Sequence, residues 1–171
     1  VNPDATEARI VLPFAGTIAE RPYTPERSPM DSENYRVSLS ALARQFDNYQ
    51  RLDGREELSA LDREAVAESV IHRFETCYDT LWKHLKRYLV ETLGLPDVPN
   101  SPKPVFRLAA ENGLLPGATD TWMVYADARI ATAHDYSGKK AEACLALMER
   151  FITDAQELYE GLTDTSWPHE A

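Results

Sequence analysis

From Tyr35 onward the apolar residues of this chain recur at three- and four-residue steps, the spacing that lines up one face of a helix. Leu39, Leu42, Ala43, Phe46 and Tyr49 form a first stripe, and Gly54 interrupts it. Ser59 followed by Asp62 resembles a capping box, which opens a second helix. Its stripe is Val70, Ile71, Phe74, Tyr78, Leu81, Trp82, Leu85 and Leu89, and it runs to about Leu93, where Gly94 and Pro96 stop it. A helix of that length crosses a whole domain of this size. Ser101 and Pro102 make an N-cap and first-position pair for a short helix carrying Val105, Phe106, Leu108 and Ala109. Asn112-Gly113 closes it, because glycine takes the left-handed conformation at a helix end without penalty. After Pro116-Gly117 a fourth helix starts near Thr119 or Asp120 and aligns Trp122, Tyr125, Ala126, Arg129 and Ala133. A fifth, from about Ser137 to Leu162, uses Ala141, Cys144, Leu145, Met148, Phe151, Ile152, Ala155 and Leu158. No stretch alternates with a two-residue period. The pattern predicts an all-α domain over 35–162, an antiparallel four- to five-helix up-and-down bundle, with a tail over 163–171 expected to fray.

Residues 1–34 carry a different signal. Pro3, Pro13, Pro22, Pro25 and Pro29 forbid a long helix there. The apolar run from Arg9 to Phe14 suits an extended segment lying on a surface. We read 1–34 as a proline-rich, irregular N-terminal arm, docked on its own domain or on a neighbour, or else an extension without a role.

Composition narrows the function classes. The 171 residues suffice for one domain with a full core. A formal net charge of -10 argues against DNA and against a long nucleic-acid track, since phosphate binding needs clustered Lys and Arg; a small local pocket stays open. Two cysteines, Cys77 and Cys144, are too few for a disulfide framework and fall among apolar helix positions, as reduced core thiols of a cytoplasmic protein would. No apolar run approaches a bilayer span, so no membrane association is expected. The N-terminus has no basic stretch followed by a hydrophobic run, and no signal peptide is expected. Starting at Val1, the chain reads as one that has lost its initiator methionine or been trimmed.

One segment stands apart chemically. Arg129 and His134 lie five positions apart, with Tyr136 just beyond. A guanidinium can hold a phosphate oxygen, an imidazole can move a proton near neutral pH, and a phenol can be modified. Arg129 falls beside the apolar stripe, where a guanidinium requires partners. The plainer alternative is an arginine paired with a helix-face carboxylate and a histidine placed against a helix dipole. Ser137, Gly138, Lys139 and Lys140 follow Tyr136 at a helix start, either as a phosphate cradle or as an ordinary cap with solvated lysines. His72, Glu75 and Asp79 share a helix side at metal-ligand spacing, but a carboxylate of Glu75 supporting an arginine fits that position better, and no metal is expected. Trp82, Trp122 and the periodic tyrosines are expected in the core. No phosphate-binding glycine loop, nucleophile elbow or paired-cysteine zinc pattern occurs, and no cofactor is expected.

Three stretches resemble a known family in order along the chain. They are Val70-Ile-His-Arg-Phe-Glu75 with Leu81-Trp-Lys-His-Leu-Lys86, then Pro102 to Leu114, then Arg129-x4-His134-x-Tyr136. Together they resemble the nucleotidyltransferase substrate-binding protein family of the HEPN superfamily, over roughly Tyr35 to Leu162. The resemblance implies a HEPN-like bundle that forms a homodimer and pairs with a separately encoded minimal nucleotidyltransferase, as in toxin–antitoxin systems. It implies metal-independent RNA cleavage with Arg129 and His134 as catalytic groups, and Tyr136 as acceptor of AMP from the partner. Nucleotide-transfer chemistry itself would then belong to the partner chain, with RNA or a nucleotide as ligand here. In other members the subunit is a non-catalytic module that docks the transferase and presents its substrate. One residue departs from the ribonuclease pattern: after the arginine those enzymes usually carry a polar residue, and this chain carries Ile130.

Overall fold

A computed structural model of the chain describes residues 29–132 and 138–168. Among the described residues there are five helices and no strand: α1 (Pro29–Gln50), α2 (Ala60–Glu91), α3 (Pro102–Glu111), α4 (Thr119–Thr132) and α5 (Gly138–Thr163). A single 3-10 turn, Leu52–Gly54, joins α1 to the loop before α2. The helix α1 begins at Pro29, ahead of the point where its apolar stripe becomes legible. Proline suits a first helical position, where its missing N–H is not needed, and the polar residues that follow offer no stripe to read.

The chain runs up, down, up and down, with the short α3 between the second and third long helices. Tyr35, near the start of α1, meets His84 late in α2 and Tyr159 late in α5. Its buried hydroxyl donates to the carbonyl of Ala155 at 2.6 Å, and burial pushes this phenol well above its usual range. The helix α2 touches all four others, so it is the axis on which the site is built.

Local signals explain the helix ends. The Ser59 hydroxyl accepts from the Asp62 N–H at 3.2 Å, while the Asp62 carboxylate accepts from the Ser59 N–H at 3.0 Å. Both bonds satisfy donors that a helix start leaves open. The Ser59 hydroxyl also donates to the Asp62 carboxylate at 2.7 Å, and this bond, with the one from the Ser59 N–H, holds the Asp62 carboxyl below its ordinary value. A lowered folded-state value means stability that is present above the unfolded value and lost as pH falls through the folded one. Replacing Ser59 with alanine is therefore expected to lower the melting temperature at neutral pH and to narrow that difference in acid; melts across pH check both. At the other end of a helix, Gly113 takes φ 69° and the Leu114 N–H reaches back to the Ala109 carbonyl at 3.0 Å, which closes α3.

Six aromatic rings close a circuit through the core. Phe74 meets Phe151 at 4.9 Å, Phe151 meets Tyr125 at 5.1 Å, and Tyr125 meets Trp122 at 5.6 Å. Trp122 stacks on Phe106 at 5.2 Å, Phe106 meets Tyr78 at 5.8 Å, and Tyr78 returns to Phe74 at 6.0 Å. Four helices thus share one aromatic cluster, each pair adding about 0.5–1.5 kcal/mol beyond its burial. Cys77 and Cys144 are free and buried, and burial pushes both thiols up to about 12. Two expectations change. Trp82 is only half-buried, with an edge in a surface cleft, because it sits on the flank of the α2 stripe. The tail does not simply fray: Trp167 is buried against Tyr159 at 5.2 Å, and its N–H donates to the Glu160 carboxylate at 2.6 Å. No helix among the described residues is long and apolar enough to cross a membrane.

Candidate functional site

Where α4 crosses α2, an arginine meets two carboxylates. Glu75 and Asp79 lie four residues apart on α2 and so point to the same side of it. Arg129 reaches across from α4: Nη1 donates to Glu75 Oε1 at 3.2 Å and Nη2 to Asp79 Oδ2 at 3.2 Å. Glu75 is buried, with a side chain only 10% exposed, whereas that of Asp79 is 41% exposed. The fully buried Thr132 hydroxyl donates to the same Glu75 oxygen at 2.9 Å. Glu75 and Thr132 are the buried polar residues among those described, and they satisfy each other. A carboxylate taken out of water must be paired and hydrogen-bonded, and this arrangement supplies both. It also fixes the guanidinium plane, since two acceptors on adjacent helical turns leave one orientation.

Beside Arg129 lies a cleft of about 540 Å³, floored by Tyr78, Asp79 and Ala126 and walled by Ser101 to Pro104 at the start of α3. Ile130, 57% exposed, forms part of its rim. The Tyr78 hydroxyl is buried at this wall and finds no hydrogen-bond partner among the described residues. Burial is the main cause that pushes its phenol up, and Asp79 adds to it while Arg129 opposes, so the group stays an O–H donor. Lys103 pairs with Asp127 across the rim. The site therefore offers a fixed guanidinium, a neutral phenol and apolar walls.

The structure brings Arg129 and Glu75 together. Lys139 and Lys140 sit exposed in the first turn of α5. His134, Tyr136 and Ser137 lie outside the described residues. His72 is exposed on α2, while Glu75 and Asp79 turn to Arg129. Sequence reasoning missed Thr132 and the cleft wall of α3. The signal for Thr132 was its place three residues beyond Arg129, one turn on along the same helix side.

An up-and-down bundle with a carboxylate-anchored arginine at the α2/α4 crossing defines a class of helical protein, and comparison identifies which one. The chain belongs to the nucleotidyltransferase substrate binding protein like family, which matches residues 30–164. It is 29% identical over 102 residues to a probable ribonuclease HepT of Haemophilus influenzae, covering 58% of this chain and 69% of that protein. A Haemophilus influenzae structure described as revealing the fold of a substrate binding domain of a nucleotidyltransferase shares the fold, with a TM-score of 0.69 at 23% identity over 77% of this chain and 98% of the other. A second solved structure, from Thermus thermophilus, is 29% identical with a TM-score of 0.55, over 71% and 98% of the two chains.

Proposed function

We propose that this chain is the HEPN-type subunit of a two-component system, a metal-independent ribonuclease held in check by a minimal nucleotidyltransferase. The observation that carries the reading is the guanidinium of Arg129, locked by Glu75 and Asp79 at the edge of a cleft, within the Arg129-x4-His134-x-Tyr136 motif. The relative named as a probable ribonuclease supports the same chemistry. A locked arginine can stabilise negative charge that builds on a phosphoryl oxygen without reorganising at the moment of reaction. With five N–H donors, a guanidinium can serve an incoming oxygen alongside its carboxylates. His134 then moves the proton. In a homodimer two such pairs face one cleft, one histidine taking the proton and the other returning it. Expression of the intact gene is expected to arrest growth, and His134→Ala to relieve the arrest at equal protein level; continued arrest would contradict the reading.

Control by the partner falls on Tyr136. Its phenol oxygen attacks the α-phosphorus of ATP bound to the nucleotidyltransferase, a P–O bond forms, pyrophosphate leaves and the phenol proton is lost. Ser137, Lys139 and Lys140 supply donors and positive charge for the attached nucleotide. Incubation with an active partner and ATP is expected to add the mass of one adenylyl group at Tyr136, located by peptide mass spectrometry, and Tyr136→Phe to abolish it. An unmodified Tyr136 with an active partner would contradict this step.

A second reading rests on specific features. Ile130 stands exposed at the cleft rim, and Arg129 carries two countercharges. An arginine so neutralised in an apolar-rimmed cleft also suits a non-catalytic subunit that docks the nucleotidyltransferase and presents its substrate. Co-purification with the transferase and no effect of His134→Ala on growth would favour it.

A further inference from the structure

The acidic total of this protein conceals one basic face. On α2 the stretch Trp82-Lys-His-Leu-Lys-Arg87 contains no carboxylate, in a chain of formal charge -10. Trp122 and Trp167 are buried, whereas Trp82 is half-exposed and lines a second cleft, of about 420 Å³, with three cations, Lys83, Lys86 and Arg87, and one carboxylate, Glu91. The Lys83 ammonium stands 6.0 Å from the Trp82 ring centre, and Lys86 donates to Asn100 Oδ1 at 3.0 Å. Arg87 is 3.7 Å from Glu91, an exposed pair that gives up little on exchange for another anion.

This cleft and the one beside Arg129 are lined by neighbouring stretches of chain: Asn100 borders the first and Ser101, the next residue, borders the second. Residues 75, 79, 82 and 86 follow steps of four, three and four, so the Arg129 anchors and Trp82 with Lys86 share one side of α2. Asp79 and Lys86 are about 10 Å apart along the helix axis. That corresponds to about three nucleotides at the 3.4 Å spacing of a stacked strand. An acidic peptide would use the cations but not the indole; an indole face between cations suits a base with its flanking phosphates.

We propose that the Trp82–Arg87 face of α2 is a short binding track for single-stranded RNA, leading to the bond held at Arg129. Trp82 stacks one base, and Lys83, Lys86 and Arg87 neutralise the phosphates on either side. The track is non-catalytic, and it rests on the RNA reading of the Arg129 site. It is compatible with the acidic total charge because it spans only a few nucleotides.

The test uses the full chain, a short unstructured 2′-O-methyl RNA carrying a fluorophore, and anisotropy titrations over a range of salt. Trp82→Ala is expected to weaken binding about tenfold, with Trp82→Phe keeping most of it, so that a misfolded alanine variant cannot mimic the result. Lys83→Gln with Lys86→Gln is expected to flatten the plot of log affinity against log salt by about 0.7 per lysine. In the wild type, cleavage of a dinucleotide, too short to reach from Arg129 to Lys86, reports the Arg129 site with the far end of the track empty. Affinity and salt slope unchanged in these variants, with dinucleotide cleavage still dependent on His134, would overturn the track and leave the Arg129 site standing. Competition by polyglutamate as strong as by unlabelled RNA would overturn it in favour of an acidic protein partner. No RNA binding and no cleavage by the wild type would overturn both.

Discussion

Alanine at His134 is expected to reduce metal-independent RNA cleavage by about 10²–10⁴-fold, the contribution of a positioned proton-transfer group. The proposed reaction removes the proton of a ribose 2′-hydroxyl, and the resulting oxygen attacks the adjacent phosphorus. The bond to the 5′-oxygen breaks and that oxygen takes up a proton, leaving a 2′,3′-cyclic phosphate and a 5′-hydroxyl. Two proton movements are needed, and the chain offers one imidazole in the motif, which is why a paired arrangement across a homodimer enters the proposal. Mixing wild-type and His134→Ala protomers gives a sharper result. If both histidines of one cleft act, mixed dimers lose activity with their share of the population; if one suffices, they retain about half.

Replacing Arg129 with alanine is expected to cost the fold about 3 kcal/mol, the low end of the range for removing one partner of a buried ion pair, because the arginine itself is 25% exposed. The loss comes from Glu75, whose buried carboxylate gives up its guanidinium countercharge while keeping the Thr132 hydroxyl. Asp79 adds little, because its exposed carboxylate is screened by water. The double variant Glu75→Ala with Arg129→Ala is expected to be more stable than Arg129→Ala alone, since the stranded charge is gone. Urea unfolding of the four proteins gives the coupling directly. Arg129→Lys keeps the charge but cannot fork between two carboxylates, so it separates positioning from charge. Lost activity in Arg129→Ala is thus informative only after correction for the folded fraction.

The fold was legible wherever a local rule decided it. The α2 capping box, the glycine closing α3 and the three-four stripes all depend on residues within a few positions of each other. The start of α1 was not, because its first turn contributes no apolar stripe. Trp167 was missed for a related reason: one aromatic residue in a polar tail has no periodicity, and its pocket against Tyr159 exists only after α5 has formed. At the site, the place of Arg129 beside a stripe announced that it needed a partner, and Glu75 stood at a suitable register. Thr132 was signalled only by its place one turn beyond Arg129, and that the partner set would include Asp79 followed from the way α4 crosses α2, on which residue spacing carries no information. The cleft wall from α3 is likewise a product of assembly. The basic run on α2 was present in the sequence, but total charge hid it, and only its side of the helix connects it to Arg129.

The most direct measurement is cleavage of single-stranded RNA by the purified wild-type protein in excess chelator, followed by end-group analysis of the fragments. Fragments with 2′,3′-cyclic phosphate and 5′-hydroxyl ends, absent with His134→Ala, are the expected result. Intact RNA, or cleavage that His134→Ala leaves unchanged, would contradict the proposal and leave the chain as a docking subunit.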